Sequence, residues 1–300
     1  MIDFNDPVLS DKQRADAIFH VTDYRSSDYC FGNLFIWRKK SGIKIAFHKG
    51  FVIVRFEIKC KTMYLYPAGI GDRAEALRDM EQDARQNGKP FIMASINPVM
   101  RIELDLLFPG KFDYAPNRNS YDYVYSMEDL RDLSGKKYHS KRNHITRFKA
   151  TGDWCYEDIN AANIQDCVEM NDQWCIENGC NQEQGLRDEY CAVKQAIVSF
   201  DALGLLGGLL RLYGKVVAFT IGERLCLDTF DVHIEKAFSR VEGAYPTINN
   251  EFISHNCGSY KYINREEDTG DVGLRKAKLS YQPAILLQKD IASLKDGATL

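Results

Sequence analysis

The stretch HIEKAFSRVEGAYPTINNEF (residues 233–252) decides the fold, because it holds a strand, a glycine-containing loop and a helix in direct succession. Apolar residues alternate before it over 224–235, as in a strand, and then recur at helical spacing over 242–256. Upstream, the runs 205–212 and 215–222 predict two antiparallel strands joined by a short turn. The segment therefore predicts an antiparallel meander that leads into a helix.

The rest of the chain repeats this order of elements. In the second half a strand and two helices come first (154–159, 163–178, 186–203), and a strand, a helix and a last strand follow (260–266, 272–281, 283–290). In the first half three strands (43–48, 51–58, 62–68) precede a helix (71–89) and a strand (91–96). A meander, a helix and a strand form the core order of the GNAT-type acyltransferase fold. We expect an α+β protein of two tandem GNAT-like domains, each with a mixed, mainly antiparallel sheet flanked by helices.

The predicted domains are residues 1–135 and residues 136–300, the second opening with a basic linker helix over 136–149. Composition supports a globular protein, with 45% hydrophobic and 27% charged residues among 300. The N-terminus lacks the pattern of a signal peptide, and the longest apolar stretch is broken by Arg211 and Lys215, so we expect a cytoplasmic protein without a membrane span. The nine cysteines include no CxxC pair, which predicts free thiols and no metal site.

Three stretches carry a family resemblance: GKKYHSKRNHITRF (135–148), HIEKAFSRVEGAYPTINNEF (233–252) and YINREEDTGDVGLRKAKLSYQP (262–283). Together they resemble an uncharacterised bacterial family related to the C-terminal catalytic domain of phosphatidylglycerol lysyltransferase. The resemblance implies two tandem GNAT-like domains, as in the Fem-type aminoacyltransferases. The long membrane-spanning flippase region of the lysyltransferase has no counterpart here, so the lipid specificity is not carried over.

The loop before the helix at 244 is a candidate phosphate site. Helix amide groups favour an anion, and Gly243 would allow a phosphate to approach the backbone of Ala244. In acyltransferases of the resembled fold this place holds the pyrophosphate of coenzyme A. Asn249 lies on the same helix, and Tyr245 is a candidate acid toward a leaving group. The alternatives are that Gly243 relieves a tight turn and that Tyr245 is a core aromatic.

The segment after the last predicted strand pairs acidic with basic residues. The candidate general bases are Glu266, Glu267 and Asp268, since neighbouring carboxylates raise one another's pKa. The candidate phosphate ligands are Arg275, Lys276 and Lys278. The alternative is a solvated loop whose surface ion pairs contribute about 0 to 1 kcal/mol each.

The basic segment 133–149 is dense for a chain of net charge -3. Its candidate phosphate-binding residues are Lys137, Lys141, Arg142 and His144. A helix of this charge favours an anionic partner, such as a polyphosphate, a nucleic-acid backbone or a lipid surface, and we expect it at the seam between the domains. The alternative is a helix that is basic only for solubility.

These residues predict an acyltransferase that moves an aminoacyl or acyl group from aminoacyl-tRNA or acyl-CoA to an amine or hydroxyl. The acceptor would be a small molecule, a peptide or a lipid headgroup, with no tightly bound cofactor, and the N-terminal domain would be degenerate. A non-catalytic RNA- or polyphosphate-binding module on the same fold is the alternative, and a catalytically idle scaffold is a third. No GxSxG, Walker A or GxGxxG motif occurs.

Overall fold

A computed structural model describes residues 2–58, 60–180 and 182–300. The helices are α1 Lys12–Thr22, α2 Phe31–Trp37, α3 Arg73–Gln86, α4 Pro98–Leu107, α5 Met127–Asp132, α6 His139–Ala150, α7 Ile164–Asn178, α8 Gln184–Val198, α9 Ala244–Asn256 and α10 Val272–Leu279. The strands are β1 Lys44–His48, β2 Phe51–Ile58, β3 Lys61–Leu65, β4 Ala68–Gly69, β5 Ile92–Ile96, β6 Phe112–Ala115, β7 Asp122–Ser126, β8 Trp154–Asp158, β9 Leu206–Leu212, β10 Lys215–Arg224, β11 Thr229–Ala237, β12 Tyr262–Asn264, β13 Ile285–Leu287 and β14 Asp290–Leu294.

The first sheet has the order β1-β2-β3-β5-β14-β6, with β4 beside β2. Its first three strands form an antiparallel meander, and β5 pairs parallel to β3. The connection between this parallel pair is α3, which Asp72 caps by accepting a hydrogen bond from the Glu75 amide. The buried face of α3 presents Ala76, Leu77 and Met80, so an amphipathic helix covers the sheet as the sequence pattern predicts.

The second sheet has the order β13-β7-β12-β11-β10-β9-β8. Strands β8 to β11 form an antiparallel meander, and β12 pairs parallel to β11. Helix α9 connects β11 to β12, and its residues Ile248, Phe252 and Ile253 are buried. The stretch 233–252 therefore forms the predicted strand, turn and helix. Two mainly antiparallel sheets with flanking helices confirm the predicted α+β class.

Backbone contacts divide the chain into two compact units. The first runs to Tyr123 and also takes in Glu266–Lys276 and Leu286–Leu300, while the second consists of Val124–Arg265 and Ala277–Ile285. The predicted boundary, between residues 135 and 136, does not anticipate these returning segments. The reason is that β14 inserts between β5 and β6 of the first sheet, a pairing that no local pattern announces.

The end of the chain differs from its prediction in one further respect. A single strand was expected over 283–290, but the structure divides it into β13 and β14 around Gln288 and Lys289. The side chain of Lys289 is 3% exposed and is surrounded by carboxylates. A charged residue that must reach internal partners therefore interrupts what reads as one apolar run.

Two of the nine cysteines are paired, so the prediction of nine free thiols is wrong for these two. Helix α7 ends at Gly179, which adopts a left-handed conformation with φ 69°. The turn brings Cys180 back beside Cys175, with 5.2 Å between their Cα atoms, and the two form a disulfide. The other seven cysteines form no disulfide bond. Within the described ranges, none of the helices has both the length and the apolar character that spanning a bilayer requires.

Candidate active site

The carboxyl ends of β11 and β12 gather several polar side chains of the second unit. The parallel pairing of β11 with β12 ends at Asp231 and Asn264, while β11 continues to Ala237, so the two strands separate beyond this pair. Arg265 follows β12 directly, and its Nη2 donates a hydrogen bond of 2.7 Å to Oε1 of Glu235 on β11. Because ligands commonly bind beyond the carboxyl ends of parallel strands, this opening is the candidate site.

The carboxylate of Glu235 is held on both oxygens. Arg265 binds Oε1, and the side-chain amide of Asn249 on α9 donates to Oε2 at 2.9 Å. Asn249 is 2% exposed, and it was predicted to contact a phosphate. Its observed partner is instead a carboxylate of the same unit, which fixes Glu235 in one orientation.

Lys141 from the basic helix α6 adds a second cation. Its Nζ atom lies 3.8 Å from the ring centroid of Tyr281, and the Cζ atom of Arg265 lies 4.8 Å from the same centroid. Burial, and to a lesser extent the charge of Arg265, lower the pKa of Lys141 to about 8, although Glu235 opposes the shift. Two cations therefore share one carboxylate. We refer to Lys141, Glu235, Asn249, Arg265 and Tyr281 as the Arg265 cluster.

The guanidinium of Arg265 is incompletely bonded. Its Nη1 atom is buried and makes no hydrogen bond to any described residue. The backbone around it is well anchored, since Lys278 donates to the Arg265 carbonyl at 2.6 Å and Tyr125 donates to the Lys278 carbonyl at 2.8 Å. Lys278, predicted as a phosphate ligand, thus supports the main chain that carries Arg265. The guanidinium thus shares hydrogen bonds with Glu235 and Tyr281, while its Nη1 group has no acceptor among the described residues.

The predicted phosphate loop is closed on one side. Gly243 has φ 80°, and a Cβ atom there would lie 2.2 Å from the carbonyl oxygen of His144 on α6. The amide of Ala244 donates to the Val241 carbonyl at 3.2 Å, and Pro246 has no amide hydrogen. The positive φ at the entry into α9 and the close approach of α6 both require glycine here, so the backbone accounts for Gly243 without a phosphate.

Tyr245 stands at the first turn of α9 and is 37% exposed. Burial raises its pKa, while a hydrogen bond with the backbone of Ala237 opposes the shift. A tyrosine in this state is protonated near neutral pH, so it can donate its proton and can also accept a hydrogen bond on its oxygen. A protonated phenol is the form that the predicted role as an acid requires, and the core-aromatic alternative does not fit the exposure of Tyr245.

Most cations of the basic segment are engaged within the second unit. The ion pairs are Lys137 with Asp129 (3.0 Å), His144 with Glu242 (3.7 Å), Arg147 with Glu242 (2.7 Å) and Lys149 with Glu251 (2.5 Å). Arg142 donates to the carbonyl groups of Leu133 and Gly135, where α5 ends. Lys141 differs, because its ammonium group lies on an aromatic ring. Neighbouring acidic residues and a helix terminus therefore account for much of the basic density.

The acidic loop belongs to the first unit, and Asp268 is its most constrained member. Asp268 is fully buried and accepts two hydrogen bonds of 2.8 Å from Arg275, one of 2.6 Å from Tyr123 and one of 3.2 Å from Arg118. Burial would raise its pKa, but Arg275 and Tyr123 outweigh burial and hold the pKa well below its usual range. Asp268, a predicted base, and Arg275, a predicted phosphate ligand, are thus bound to each other.

Glu267 lies in different surroundings. Burial raises its pKa to about 7, Lys289 opposes the shift, and the carboxylates of Glu266, Asp122 and Asp28 add to it. The predicted mechanism of carboxylates raising one another's pKa operates at this residue. Glu266 has a left-handed backbone, with φ 56°, and Lys276 is exposed. Glu267 is therefore the loop residue whose titration falls near neutral pH.

Sequence reasoning missed the residues that organise both regions: Glu235, Arg265, Tyr281 and Lys289. Two of them carried a usable signal, since Glu235 and Arg265 are charged residues at the ends of predicted buried strands. Tyr281 lies in the stretch 262–283 that carries the family resemblance, but its residue type does not point to a site, and Lys289 carried no signal. The structure brings Lys141 and Asn249 together and places Glu267, Asp268 and Arg275 in the other unit.

Comparison with known proteins agrees with the fold and the resemblance. The family described as "Phosphatidylglycerol lysyltransferase, C-terminal" matches residues 19–290. An uncharacterised protein of Mycoplasmoides gallisepticum is 23% identical over 205 residues, 65% of this chain and 63% of that protein. The chain thus spans less than two thirds of the length of this curated relative.

Solved structures share the fold. A conserved protein of unknown function from Bacteroides thetaiotaomicron is 41% identical, with a TM-score of 0.94 over 98% of this chain and 100% of that one. The C-terminal domain of an inferred lysylphosphatidylglycerol synthetase from Agrobacterium fabrum is 14% identical, with a TM-score of 0.69 over 95% and 92%. FemX is 8% identical, with a TM-score of 0.57 over 98% of each chain. The resemblance seen in the sequence is confirmed.

Proposed function

The chain belongs to the phosphatidylglycerol lysyltransferase C-terminal family, and from this premise we propose that it moves an aminoacyl group from an aminoacyl-tRNA to a hydroxyl or amine acceptor. The second unit would carry the reaction. The observation on which this rests is the Arg265 cluster, which puts two cations beside one carboxylate where β11 and β12 part. Acyl transfer builds negative charge on the carbonyl oxygen, and buried cations stabilise such charge.

The closed loop before α9 favours aminoacyl-tRNA over acyl-CoA as the donor. A pyrophosphate at this loop would need access to Gly243 and free amide groups beyond it. The His144 carbonyl lies where a side chain of Gly243 would begin, the Ala244 amide already has an acceptor, and Pro246 offers none. A donor whose phosphates bind elsewhere meets no such obstacle.

Lys141 is the proposed proton donor. With a pKa of about 8, it is mostly protonated at neutral pH and close enough to the operating pH to exchange its proton readily. In the proposed reaction the acceptor oxygen or nitrogen bonds to the acyl carbon, and the ester bond from that carbon to the tRNA ribose breaks. Lys141 gives a proton to the ribose oxygen and is reprotonated by the proton that the acceptor loses.

The alternative function, a non-catalytic RNA- or polyphosphate-binding module, rests on the basic segment. Lys137, His144, Arg147 and Lys149 each have an acidic partner. Such pairs lower the positive potential that would attract a nucleic-acid backbone. The cations of α6 therefore give this alternative little support.

A transfer assay tests the proposal. The donors are tRNA charged with radiolabelled amino acids and radiolabelled acetyl-CoA, and the acceptors are soluble alcohols and amines and vesicles of phosphatidylglycerol. We expect label from tRNA to reach an acceptor, and Lys141→Met to slow single-turnover transfer about 10²- to 10⁴-fold. Because the protonated form is required, kcat/KM should fall as the pH rises through about 8.

Lys137→Met is the matched control, since Lys137 lies on the same segment but pairs with Asp129 at the surface. It should transfer at the normal rate. Transfer from acetyl-CoA alone would overturn the choice of donor, and normal transfer by Lys141→Met would remove the assigned proton donor. Absence of transfer from every donor to every acceptor would contradict the proposed function itself.

A further inference from the structure

The charges in the Arg265 cluster do not balance. Arg265 and protonated Lys141 carry two positive charges, and Glu235 carries one negative charge. The side chains of Arg265 and Glu235 are only 11% and 12% exposed, and Lys141 is half-buried, so solvent compensates only in part for the difference. A buried cation without a counter-charge is costly, which makes the cluster a place where one more anion would be stabilising.

Hydrogen-bond donors in the Arg265 cluster also lack an acceptor. Both oxygens of Glu235 already accept, one from Arg265 and one from Asn249. The Nη1 atom of Arg265 donates to no described residue, and the ammonium of Lys141 rests on the ring of Tyr281. A buried donor left without a partner costs about 1–3 kcal/mol, and more when it is charged. The cluster thus offers donors from two side chains to an acceptor that this chain does not provide.

We propose that the Arg265 cluster binds an anionic group of a substrate, a phosphate ester or a carboxylate, between Nη1 of Arg265 and the ammonium of Lys141. This inference rests on the proposed function and names the chemical class of one of its substrates. Nη1 is buried and the Lys141 side chain is half-buried, so the anion would reach Nη1 by displacement of the more exposed Lys141 side chain. The planar guanidinium then supplies a directed hydrogen bond, and Lys141 supplies a mobile charge.

Binding would be coupled to proton uptake. A bound anion favours the charged form of Lys141 and so raises its pKa above about 8. At pH 8, where a part of the Lys141 side chains is neutral, binding should draw protons from the buffer. At pH 6.5, where nearly all are charged already, it should draw almost none. The anion would thus complete the protonated state from which the proposed transfer begins.

The test is isothermal calorimetry on the intact chain, without turnover. The probes are inorganic phosphate, acetate and glycerol 3-phosphate, with glycerol as the neutral control. Titrations in two buffers of different ionisation enthalpy at pH 8 measure the protons taken up. We expect millimolar or tighter binding of at least one anion, none of glycerol, and fractional proton uptake that vanishes at pH 6.5. Vesicles of phosphatidylglycerol and of phosphatidylcholine distinguish a lipid headgroup from a free phosphate.

Four variants make the test specific. Arg265→Lys keeps the charge but loses the guanidinium, and both it and Arg265→Gln should weaken anion binding about tenfold or more. Lys141→Met should weaken binding and abolish proton uptake, and it remains informative if the Arg265 variants fail to fold. Arg147→Gln is the control, since Arg147 lies on the same helix but is 66% exposed and pairs with Glu242.

The outcomes separate this inference from the proposed function. No binding of any anion, or equal binding by Arg265→Gln, Lys141→Met and the parent, would overturn the anion site while leaving transfer activity open to its own assay. Binding without proton uptake would also contradict it, since Lys141 would then not contact the anion. Specific binding in a protein that transfers nothing would uphold the site and refute the transferase.

Discussion

Each unit of the molecule contains a buried cation, and the two are compensated in opposite ways. In the first unit Lys289 lies 2.6 Å from Asp122 and 2.9 Å from Asp28, and it also donates to the Ser27 hydroxyl at 3.0 Å. Burial alone would lower the pKa of Lys289, but these carboxylates hold it well above its usual value. In the second unit Arg265 and Lys141 share a single carboxylate.

The difference distinguishes an internal support from a site. Around Lys289 the acidic groups outnumber the cation, and its ammonium has several oxygen partners, so an added anion would be repelled. Around Arg265 the cations outnumber the carboxylate, and one donor is unused. Burial and charge are common to both regions, and only the balance of partners indicates which region has capacity for a ligand. Four predictions, besides the anion titration, break or sharpen this comparison.

The largest expected effect is on stability, from Lys289→Met. Removing Lys289 leaves Asp122 and Asp28 as buried charges without their cation, which should cost about 3–5 kcal/mol of the free energy of unfolding. Lys141→Met removes a cation that burial already disfavours, so it should change stability by about 1 kcal/mol or less, or increase it. Urea unfolding at pH 7 measures both.

Lys295→Met is the control in the first unit, since Lys295 is 45% exposed and lies 3.8 Å from Asp113. Its unfolding midpoint should match that of the parent. Equal stability losses for Lys289→Met and Lys141→Met would contradict the contrast between the two regions.

The next largest effect is on catalysis and concerns Lys141 alone. The loss of transfer in Lys141→Met, about 10²-fold or more, should come with unchanged folding, because the residue is not needed for stability. Lys289→Met, assayed at a temperature where it remains folded, should transfer normally if the first unit supports structure only. A normal rate in the first variant and a large loss in the second would reverse the roles assigned here.

A smaller, pH-dependent effect is expected from Glu267→Gln. The pKa of Glu267 is raised to about 7 in the folded chain, so folding binds a proton between pH 4.5 and 7 and the stability contribution of this residue falls as the pH rises through that window. The glutamine variant lacks this loss and should gain up to about 3 kcal/mol relative to the parent above pH 7. Below pH 4.5 the two should be alike.

Melting temperatures measured from pH 4 to pH 8.5 give the comparison. Glu266→Gln serves as the matched control, since it removes a neighbouring carboxylate without removing the titration of Glu267. A difference between Glu267→Gln and the parent that does not change with pH would contradict the assignment.

The smallest effect is expected from the double variant Lys137→Gln, Arg147→Gln. Both residues form exposed ion pairs, so the melting temperature should change by no more than about 2 °C. Phosphate binding should be unaffected, because the proposed site uses neither side chain. Loss of phosphate binding in this variant would show that the anion binds the exposed residues of the basic segment and not the Arg265 cluster.

Local patterns in the sequence predicted most of the elements. Hydrophobic periodicity predicted the helix α3 and the meander β9 to β11, and Gly243 marked the turn into α9. Within the candidate site, Lys141 and Asn249 were among the predicted residues, while Arg265 and Glu235 were not. Lys141 could be predicted because it lies in a dense run of basic residues. Glu235 and Arg265 are each a single charge at the end of a strand, and only the structure shows that they are partners.

Sequence alone determined the fold class, the family and the chemical character of the two charged segments, because these depend on local periodicity and on residue type. Tertiary structure decided which of those charges are neutralised. Asp129, Glu242 and Glu251 form ion pairs with cations of the basic segment, and Arg275 pairs with Asp268. Near Arg265 and Lys141, by contrast, the single negative charge of Glu235 leaves one positive charge without a counter-charge. A charge acts through its partners and its burial, and both are set by contacts between residues that lie as many as 262 positions apart in the chain.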